Sequence, residues 1–492
     1  MWGAPIWRFA RYYRRFQMSR IIVNRFALGV LLSLAGLLSS CSSGARRDAL
    51  LAAVPRNAVM VKVVDLEALC ADAGCSLPSR GGSLSGLTEA LAGYAVEPGL
   101  RGAFAEVVEA GVGNVDFSAV VTFTSSAGRD VALMGVAGRG ALLNGLLRRL
   151  PAVDGDAPEL AADDGFEFLP VGGAVVAVRD GICFIAHDII DIKDAMAHSR
   201  SAHIGSVPGI VEFLESGSPA AVAVNCARSP LGFLGGDSRW LCVGIDATDR
   251  EVRARARVLS DVGGVDSIGA RFSTVDPDVL RFIPDDVSVL VSFGRFTGNQ
   301  RALALLLGRF TPAYMPQADG STVLFAMPVG SPDDVAAGRP GAWSVETVVH
   351  LPAAVADSCV AVYRASAPAD VSEVAPDRFS YSVDGTQYCF GKFGDYVAFA
   401  SGRSVADNYG GEAYGRMLKD KRAVMMVSAP AGSVLARAWR LSGGMSFSLV
   451  VEADAVEGRV VVDGDSRPAL AVLLSLERFP DIYERFRADT GR

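Results

Sequence analysis

The sequence of 492 residues predicts an α+β fold of two tandem, similar domains, each a mainly antiparallel sheet with helices packed on it. Two observations predict it: three blocks of sequence occur twice in the same order, and hairpin patterns alternate with helical ones. Hairpins interspersed with helices favour α+β over a parallel α/β sheet. The predicted domains are residues 51–270 and 271–492, each long enough to enclose a core of its own.

The first repeated block opens each predicted domain. Residues 51–61 read LAAVPRNAVMV and residues 280–290 read LRFIPDDVSVL, at an offset of 229 positions. Each copy places a proline and a polar pair before an apolar run. This order is typical of a turn followed by a strand.

The second repeated block is a hairpin. Residues 174–186 contain two apolar runs joined by Asp180-Gly181, which is a strong short hairpin signal. The counterpart is residues 387–399. In each half a polar segment follows, from Asp188 and from Ser401, that suits the start of a helix.

The third repeated block closes each half with two more strands. Residues 240–259 turn through Asp249, and residues 447–463 are predicted to turn through Glu457-Gly458. In the first copy apolar residues alternate with arginines, so one face is buried and the other is wet. The shared order of the blocks predicts a duplication. The alternative is that antiparallel hairpins look alike in any such protein.

Between the strands, apolar residues at helical spacing predict further elements. The predicted helices are residues 84–94, 102–110, 141–150, 301–310 and 467–487. The domain boundary is predicted near residues 263–278, which contain Gly263-Gly264 and Asp276-Pro277.

The N-terminal 40 residues predict an export signal. The apolar run 27–38 has 12 residues, too few for the roughly 20 that span a bilayer core as a helix. Arg20 and Arg25 precede this run and small residues follow it, which is the layout of a cleaved signal peptide. The start position, Met1 or Met18, stays open.

The segment Leu38-Ser39-Ser40-Cys41 resembles the lipobox of bacterial lipoproteins. The resemblance implies that the Cys41 thiol receives a diacylglyceryl group and that cleavage makes Cys41 the N-terminus. Residues 1–40 are then the signal peptide and residues 41–50 a tether. Two acyl chains hold a protein on a membrane far more firmly than one. The alternative is an ordinary signal peptide with a chance cysteine.

The lipobox, the segment VPRNAV at residues 54–59 and the two-half body with Asp-Gly hairpins resemble uncharacterised two-repeat lipoproteins of Bacteroidales, a domain of unknown function. The resemblance implies no known activity and transfers no catalytic residue. In that group, acidic residues soon after the lipid-bearing cysteine accompany surface display. Residues 42–47 read SSGARR, so the resemblance implies the periplasmic face of the outer membrane.

The charge of the chain excludes nucleic acid as a partner. The leader holds six arginines and no acids, so its removal changes the formal net charge from −7 to −13. An acidic body has no electrostatic attraction for phosphates. The expected partners are the membrane, through the lipid anchor, and an unidentified envelope protein or glycan.

Seven cysteines remain besides Cys41, so at least one has no intramolecular partner. Cys70 and Cys75 are close enough in sequence to pair. Cys183, Cys242 and Cys389 lie in apolar alternating stretches, which favour buried thiols. The sequence has no CxxC pair, so a zinc ribbon is not expected.

One group of residues has the composition of a metal site. Three histidines and three aspartates occur together: His187, His198, His203, Asp188, Asp191 and Asp194. The alternative, which we prefer, is that these acids are favoured near a helix N-terminus by the helix dipole. We therefore predict no metal and no cofactor.

The segment Gly-Asp-Ser-Arg occurs at residues 236–239 and 464–467, and it resembles the nucleophile block of Gly-Asp-Ser esterases. Those enzymes need a histidine base downstream of the serine. The last histidine, His350, precedes the second copy and has no aspartate three residues before it. The segments are interpreted as turns, and no catalytic residue is predicted.

Lipidation of Cys41 is thus the one predicted site. We expect a lipid-anchored cell-envelope protein with a non-catalytic binding or scaffolding role. The alternatives are an envelope hydrolase with an unrecognised site and a surface component that captures glycan or protein.

Overall fold

The computed structural model describes residues 44–78, 86–150, 159–163, 165–215, 218–229, 239–260, 265–266, 272–297, 318–337, 339, 341–367, 370–383, 385–402 and 412–477. The chain separates into two compact units. Among the described residues, the first unit holds 44–266 and 466–477, and the second unit holds 272–465. No helix in these ranges is both long enough and apolar enough to cross a bilayer.

The first unit is built on an antiparallel sheet. Its strands are β1 (Met60–Val64), β2 (Val115–Thr124), β3 (Asp130–Val136), β4 (Ala161–Asp163), β5 (Phe166–Val171), β6 (Ala174–Arg179), β7 (Ile182–Ala186), β8 (Ala220–Asn225), β9 (Arg239–Ala247), β10 (Glu251–Ser260) and β11 (Val265–Asp266). Hydrogen bonding gives the order β11-β10-β9-β8-β1-β2-β3-β7-β6-β5-β4. Strand β1 therefore lies in the interior of the sheet.

Helices cover both faces of this sheet. They are α1 (Gly44–Ala52), α2 (Leu66–Asp72), α3 (Gly86–Ala95), α4 (Arg101–Gly111), α5 (Arg139–Arg149), α6 (Ile189–Ser201) and α7 (Pro208–Leu214), with 3₁₀ helices at Pro98–Leu100, Ile204–Ser206 and Cys226–Arg228. Helices α1, α6 and α7 enclose the main core with Val61 and Val63 of β1. The side chains of Lys62 and Val64 point to the opposite face of the sheet and are also buried. Burial on both faces explains the nearly continuous apolar sequence of β1.

The second unit is also built on antiparallel strands. They are β12 (Val289–Phe293), β13 (Thr322–Pro328), β14 (Trp343–His350), β15 (Ser372–Ala375), β16 (Arg378–Val383), β17 (Thr386–Phe393), β18 (Tyr396–Ser401), β19 (Ala423–Ala429), β20 (Gly444–Val451) and β21 (Val456–Asp463). Their order is β21-β20-β19-β12-β13-β14-β18-β17-β16-β15.

Helices also pack on this second set of strands. They are α8 (Pro332–Ala337), α9 (Ala353–Ser366), α10 (Glu412–Leu418) and α11 (Val434–Ala438), with a 3₁₀ helix at Pro277–Phe282. The 3₁₀ helix and α10 enclose an apolar cluster with Leu290 and Phe325. Helix α9 encloses another with Phe390 and Phe399.

The last described helix, α12 (Ala469–Glu477), belongs to the first unit. It contacts α3 and β10, and its first amide, that of Ala469, donates to the carbonyl of Asp249 at 2.8 Å. Leu470 and Val472 are fully buried. This placement differs from the predicted bounds, which gave all of residues 271–492 to one domain.

The α+β class and the mainly antiparallel sheet are confirmed. The hairpin at Asp180-Gly181 is also correct: both residues have positive φ, 51° and 77°, as a type I′ turn requires. The predicted turn at Glu457-Gly458 is wrong. Both residues pair in β21 with Val450 and Leu449, and the turn comes earlier, at residues 452–455.

Of the predicted helices, residues 102–110 and 141–150 agree with α4 and α5. Helix α3 covers the described part of 84–94, and α12 the described beginning of 467–487. The prediction for residues 301–310 lies outside the described residues.

Candidate functional site

The predicted lipidation residue, Cys41, lies outside the described residues, and helix α1 begins three positions later at Gly44. The helix occupies most of the predicted tether. Leu50 and Leu51 are 1% and 0% exposed, and both belong to the main core of the first unit. Burying these two leucines removes apolar surface from water and so stabilises the packing of α1 on the first unit. Helix α1 is therefore part of the folded body.

A group of charged residues joins α1 to α7. Arg47 is 6% exposed, and its Nη1 donates to the carbonyl of Leu214 at 3.3 Å. Asp48 shares a hydrogen bond with Glu215, and burial first, then Asp48, raises the pKa of Glu215 to about 7. Nearby, burial raises the pKa of Asp65, the N-cap of α2, to about 6. Two carboxyl groups close to Arg47 of α1 therefore have pKa values raised by burial.

A second charged group lies on the opposite face of the sheet. Lys62 is 8% exposed, and its Nζ lies 3.4 Å from Glu97 Oε1. Burial lowers the pKa of Lys62, and the charge of Glu97 acts against that change. Asp130 accepts a hydrogen bond from Thr124 Oγ1 at 2.8 Å, and burial raises the pKa of Asp130. A desolvated lysine has the chemistry of a base or an amine nucleophile, but here Glu97 holds the ammonium as an ion pair.

A cleft of about 560 Å³ opens in the first unit, at the end of α2 and the start of β2. It is lined by Glu67, Ala71, Cys75, Ser76, Leu77, Val112, Gly113, Asn114, Val115, Asp116, Phe117 and Ala137. One of its two acids, Asp116, accepts from the Ser118 backbone amide at 3.1 Å and from the Ser118 hydroxyl. The cleft therefore offers apolar side chains, two carboxylates, the side chains of Ser76 and Asn114, and one thiol.

The six histidines and aspartates considered as a metal site are used separately. Asp188 is the N-cap of α6, Asp191 is buried against Arg129 at 3.2 Å, and the ring of His198 bonds to the backbone of Asp194 at 2.7 Å. In the described part of the chain, no group of three or more His, Cys, Asp or Glu side chains is arranged to hold a metal ion.

The other two predicted members lie elsewhere. His187 packs its ring against Gly99, and His203 forms a backbone bridge with Pro55. Each contact belongs to the local packing of the first unit. The structure thus separates residues that the sequence places within a short stretch.

The first Gly-Asp-Ser-Arg segment lies outside the described residues except for Arg239, which begins β9. The second forms a bend after β21, in which Gly464 has φ 73° and Asp465 accepts from the Ser442 hydroxyl. His350 bonds through Nδ1 to Asp319 at 2.7 Å and packs edge-on against Tyr396. Both partners of His350 belong to the second unit, so its ring is held by local contacts there.

Sequence reasoning missed the two charged groups of the first unit. Lys62 carried a usable signal, since it is the one charged residue in the strand sequence MVKVV. Arg47 and Glu215 carried none, because they are 168 positions apart and meet only when α1 docks.

No family model matches this chain, and no curated protein matches it. A solved structure, that of crystal form I of TP0453, matches with a TM-score of 0.21 and 8% sequence identity. The match covers 75% of this chain and 97% of that chain. A likeness of this size carries no argument about fold or activity.

Proposed function

We propose that the chain is a lipid-anchored cell-envelope protein that acts by binding or scaffolding rather than by catalysis. One observation supports it most: α1 begins three residues after Cys41 and buries Leu50 and Leu51 in the first unit. Three extended residues reach at most about 11 Å. A lipid on Cys41 would therefore keep the first unit next to the bilayer, on a short link.

The chemistry of the cleft fits a binding role. Its lining combines apolar side chains with a few polar ones, and the carboxylate of Asp116 accepts from Ser118. Binding surfaces combine apolar contact with a few polar groups that orient a ligand. The proposed ligand is a component of the cell envelope, a protein or a glycan.

We also propose that the two units are copies of one ancestral unit. The order β10-β9-β8-β1-β2-β3-β7-β6-β5-β4 in the first corresponds strand for strand to β21-β20-β19-β12-β13-β14-β18-β17-β16-β15 in the second. Some helices occur in the same connections: α5 and α9 follow the third strand of each unit, and α7 and α10 precede β8 and β19, whereas α8 between β13 and β14 has no counterpart between β2 and β3. Strands β1 and β12 stand at the same offset of 229 as the first sequence block.

The proposed location is the periplasmic face of the outer membrane. The support is the sequence SSGARR that follows Cys41 and contains no acid. The membrane is the proposed partner through the lipid, and nucleic acid is not a proposed partner because the body is acidic.

Lipidation is tested by expressing the full chain in a bacterial host with labelled palmitate. Wild type should carry the label and sediment with membranes, and Cys41→Ala should lose the label. The matched control is Cys359→Ala, which removes a half-buried thiol of the second unit and should keep the label.

The palmitate label, rather than sedimentation with membranes, decides the outcome. An uncleaved signal peptide can by itself hold the Cys41→Ala variant on a membrane. A Cys41→Ala chain that is still cleaved and still incorporates palmitate would overturn the proposal.

A further inference from the structure

Cys70 and Cys75 occupy the two ends of the turn that closes α2. The amide of Cys75 donates to the carbonyl of Cys70 at 2.7 Å, and the amide of Gly74 donates to the carbonyl of Ala71 at 3.0 Å. Gly74 has a φ of 71°, in the left-handed region. These two hydrogen bonds and the left-handed glycine define a Schellman motif.

The motif explains why the two thiols meet. In a Schellman motif the residue after the glycine commonly contacts the residue five positions earlier, and here both are cysteines. After burial, the neighbouring Cys75 thiol is the next cause that raises the pKa of the Cys70 thiol, so the two side chains lie close together. On the next helix, the Thr88 hydroxyl donates to the carbonyl of Ser76 at 3.0 Å and so holds the segment that carries Cys75.

The two thiols differ in access to solvent. Cys70 is 1% exposed, whereas Cys75 is half-buried and lines the cleft. Burial raises the pKa of the Cys70 thiol well above its usual range. An external reagent can therefore reach Cys75 first.

We propose that Cys70 and Cys75 form an intramolecular disulfide when the protein meets a disulfide oxidant, with Cys75 reacting first. The Cys75 thiolate attacks one sulfur of the oxidant and expels the other as a thiolate. The Cys70 thiolate then attacks the Cys75 sulfur of this mixed disulfide and expels the second oxidant sulfur. Both cysteines lose their protons, and two electrons reduce the oxidant to two thiols.

Among the other described cysteines, no two share one turn of a helix; Cys226 and Cys242 are electrostatic neighbours but lie on different elements. Cys226 directs its thiol to the carbonyl of Val224 at 4.0 Å, and Cys242 is buried in β9. Cys183 is fully buried, and burial raises its pKa to about 12. The proposed bond would close the segment 71–74 and hold Cys75 at the mouth of the cleft.

The test is peptide mapping of the purified full chain. The protein is equilibrated in oxidised or in reduced glutathione, alkylated in denaturant and digested with trypsin. Residues 63–80, VVDLEALCADAGCSLPSR, form one tryptic peptide that contains both cysteines. In oxidised glutathione most of this peptide should be unalkylated and lighter by two hydrogens, and in reduced glutathione both cysteines should be alkylated.

Two variants test the order of reaction. Cys70→Ser should accumulate glutathione on Cys75, because the second thiol is missing, whereas Cys75→Ser should leave Cys70 free. Cys226→Ser is the matched control and should map as wild type. The proposal is overturned if the wild-type peptide is alkylated at both cysteines in oxidised glutathione, keeps glutathione, or pairs with another cysteine. It is also overturned if Cys75→Ser takes up glutathione in place of Cys70→Ser.

Discussion

The carboxyl pair of Asp48 and Glu215 predicts that the docking of α1 depends on pH. Burial and then Asp48 raise the pKa of Glu215 from an ordinary 4.5 to about 7. Because the folded-state pKa lies above the unfolded value, the protonated pair stabilises the fold fully below about pH 4.5. That contribution is lost as the pH rises through 7.

We predict that Glu215→Gln flattens this pH dependence. The amide keeps a hydrogen bond to Asp48 without a titrating proton. At pH 8 the free energy of unfolding of the variant should therefore exceed that of wild type by about 1 kcal/mol or less. The gain is small because the pair is partly exposed and screened by solvent. Urea unfolding at pH 5 and pH 8 measures it.

The matched control is Glu212→Gln on the exposed side of α7. Glu212→Gln should change the free energy of unfolding by the same amount at pH 5 and at pH 8. A wild-type free energy of unfolding with the same pH profile as Glu215→Gln would contradict the assignment.

The ion pair of Lys62 and Glu97 gives a second prediction at this scale. Glu97→Gln removes the neighbouring charge from a buried ammonium and should lower the free energy of unfolding by about 2 kcal/mol. Lys62→Met should cost less, since methionine fills similar space without a charge to desolvate. Chemical denaturation compares the two variants, and a loss for Glu97→Gln no larger than that for Lys62→Met would contradict the prediction.

Residues of this kind are only partly predictable. The lysine within MVKVV was a signal that the sequence analysis did not use, although a buried charge in an apolar strand needs a partner. The sequence did not indicate Glu97 as that partner. Proximity across a fold depends on helix docking, which no local pattern encodes.

At the scale of elements, α1 is a helix of the folded body that begins three residues after Cys41. Leu51→Ala should lower the free energy of unfolding by about 2–5 kcal/mol, because it leaves a cavity in the main core. Ala52→Ser, at the neighbouring exposed position, is the matched control and should change it by less than about 0.5 kcal/mol. Thermal or urea unfolding measures both. A small effect of Leu51→Ala would mean that α1 is a detached tether.

The elements also show which local patterns are reliable. Asp180-Gly181 specified its hairpin, because the type I′ turn needs two residues that accept positive φ. Glu457-Gly458 misled, because a glycine can also sit within a strand, and Gly458 pairs with Leu449 in β21. Turn composition is therefore informative only with the register of the flanking strands.

At the scale of the whole molecule, the last described helix, α12, is expected to stabilise the first unit. Leu470→Ala in α12 should lower the free energy of unfolding by about 2–5 kcal/mol and lower the hydrogen-exchange protection of the β10 amides. Leu435→Ala in α11, equally buried, is the matched variant for the second unit and should lower protection in β19. If Leu470→Ala instead lowered hydrogen-exchange protection in β19 and left that of β10 unchanged, the assignment of α12 to the first unit would be wrong.

The sequence by itself determined the α+β class, the antiparallel hairpins and several helices, because those features depend on residues a few positions apart. It also predicts the leader and Cys41 as the lipidation site, which stay predictions. Only the tertiary structure decided that α1 belongs to the core, that α12 joins the first unit and that the histidines and aspartates do not converge. These outcomes depend on apolar burial between segments far apart in the chain, and a linear pattern does not record which segments will meet.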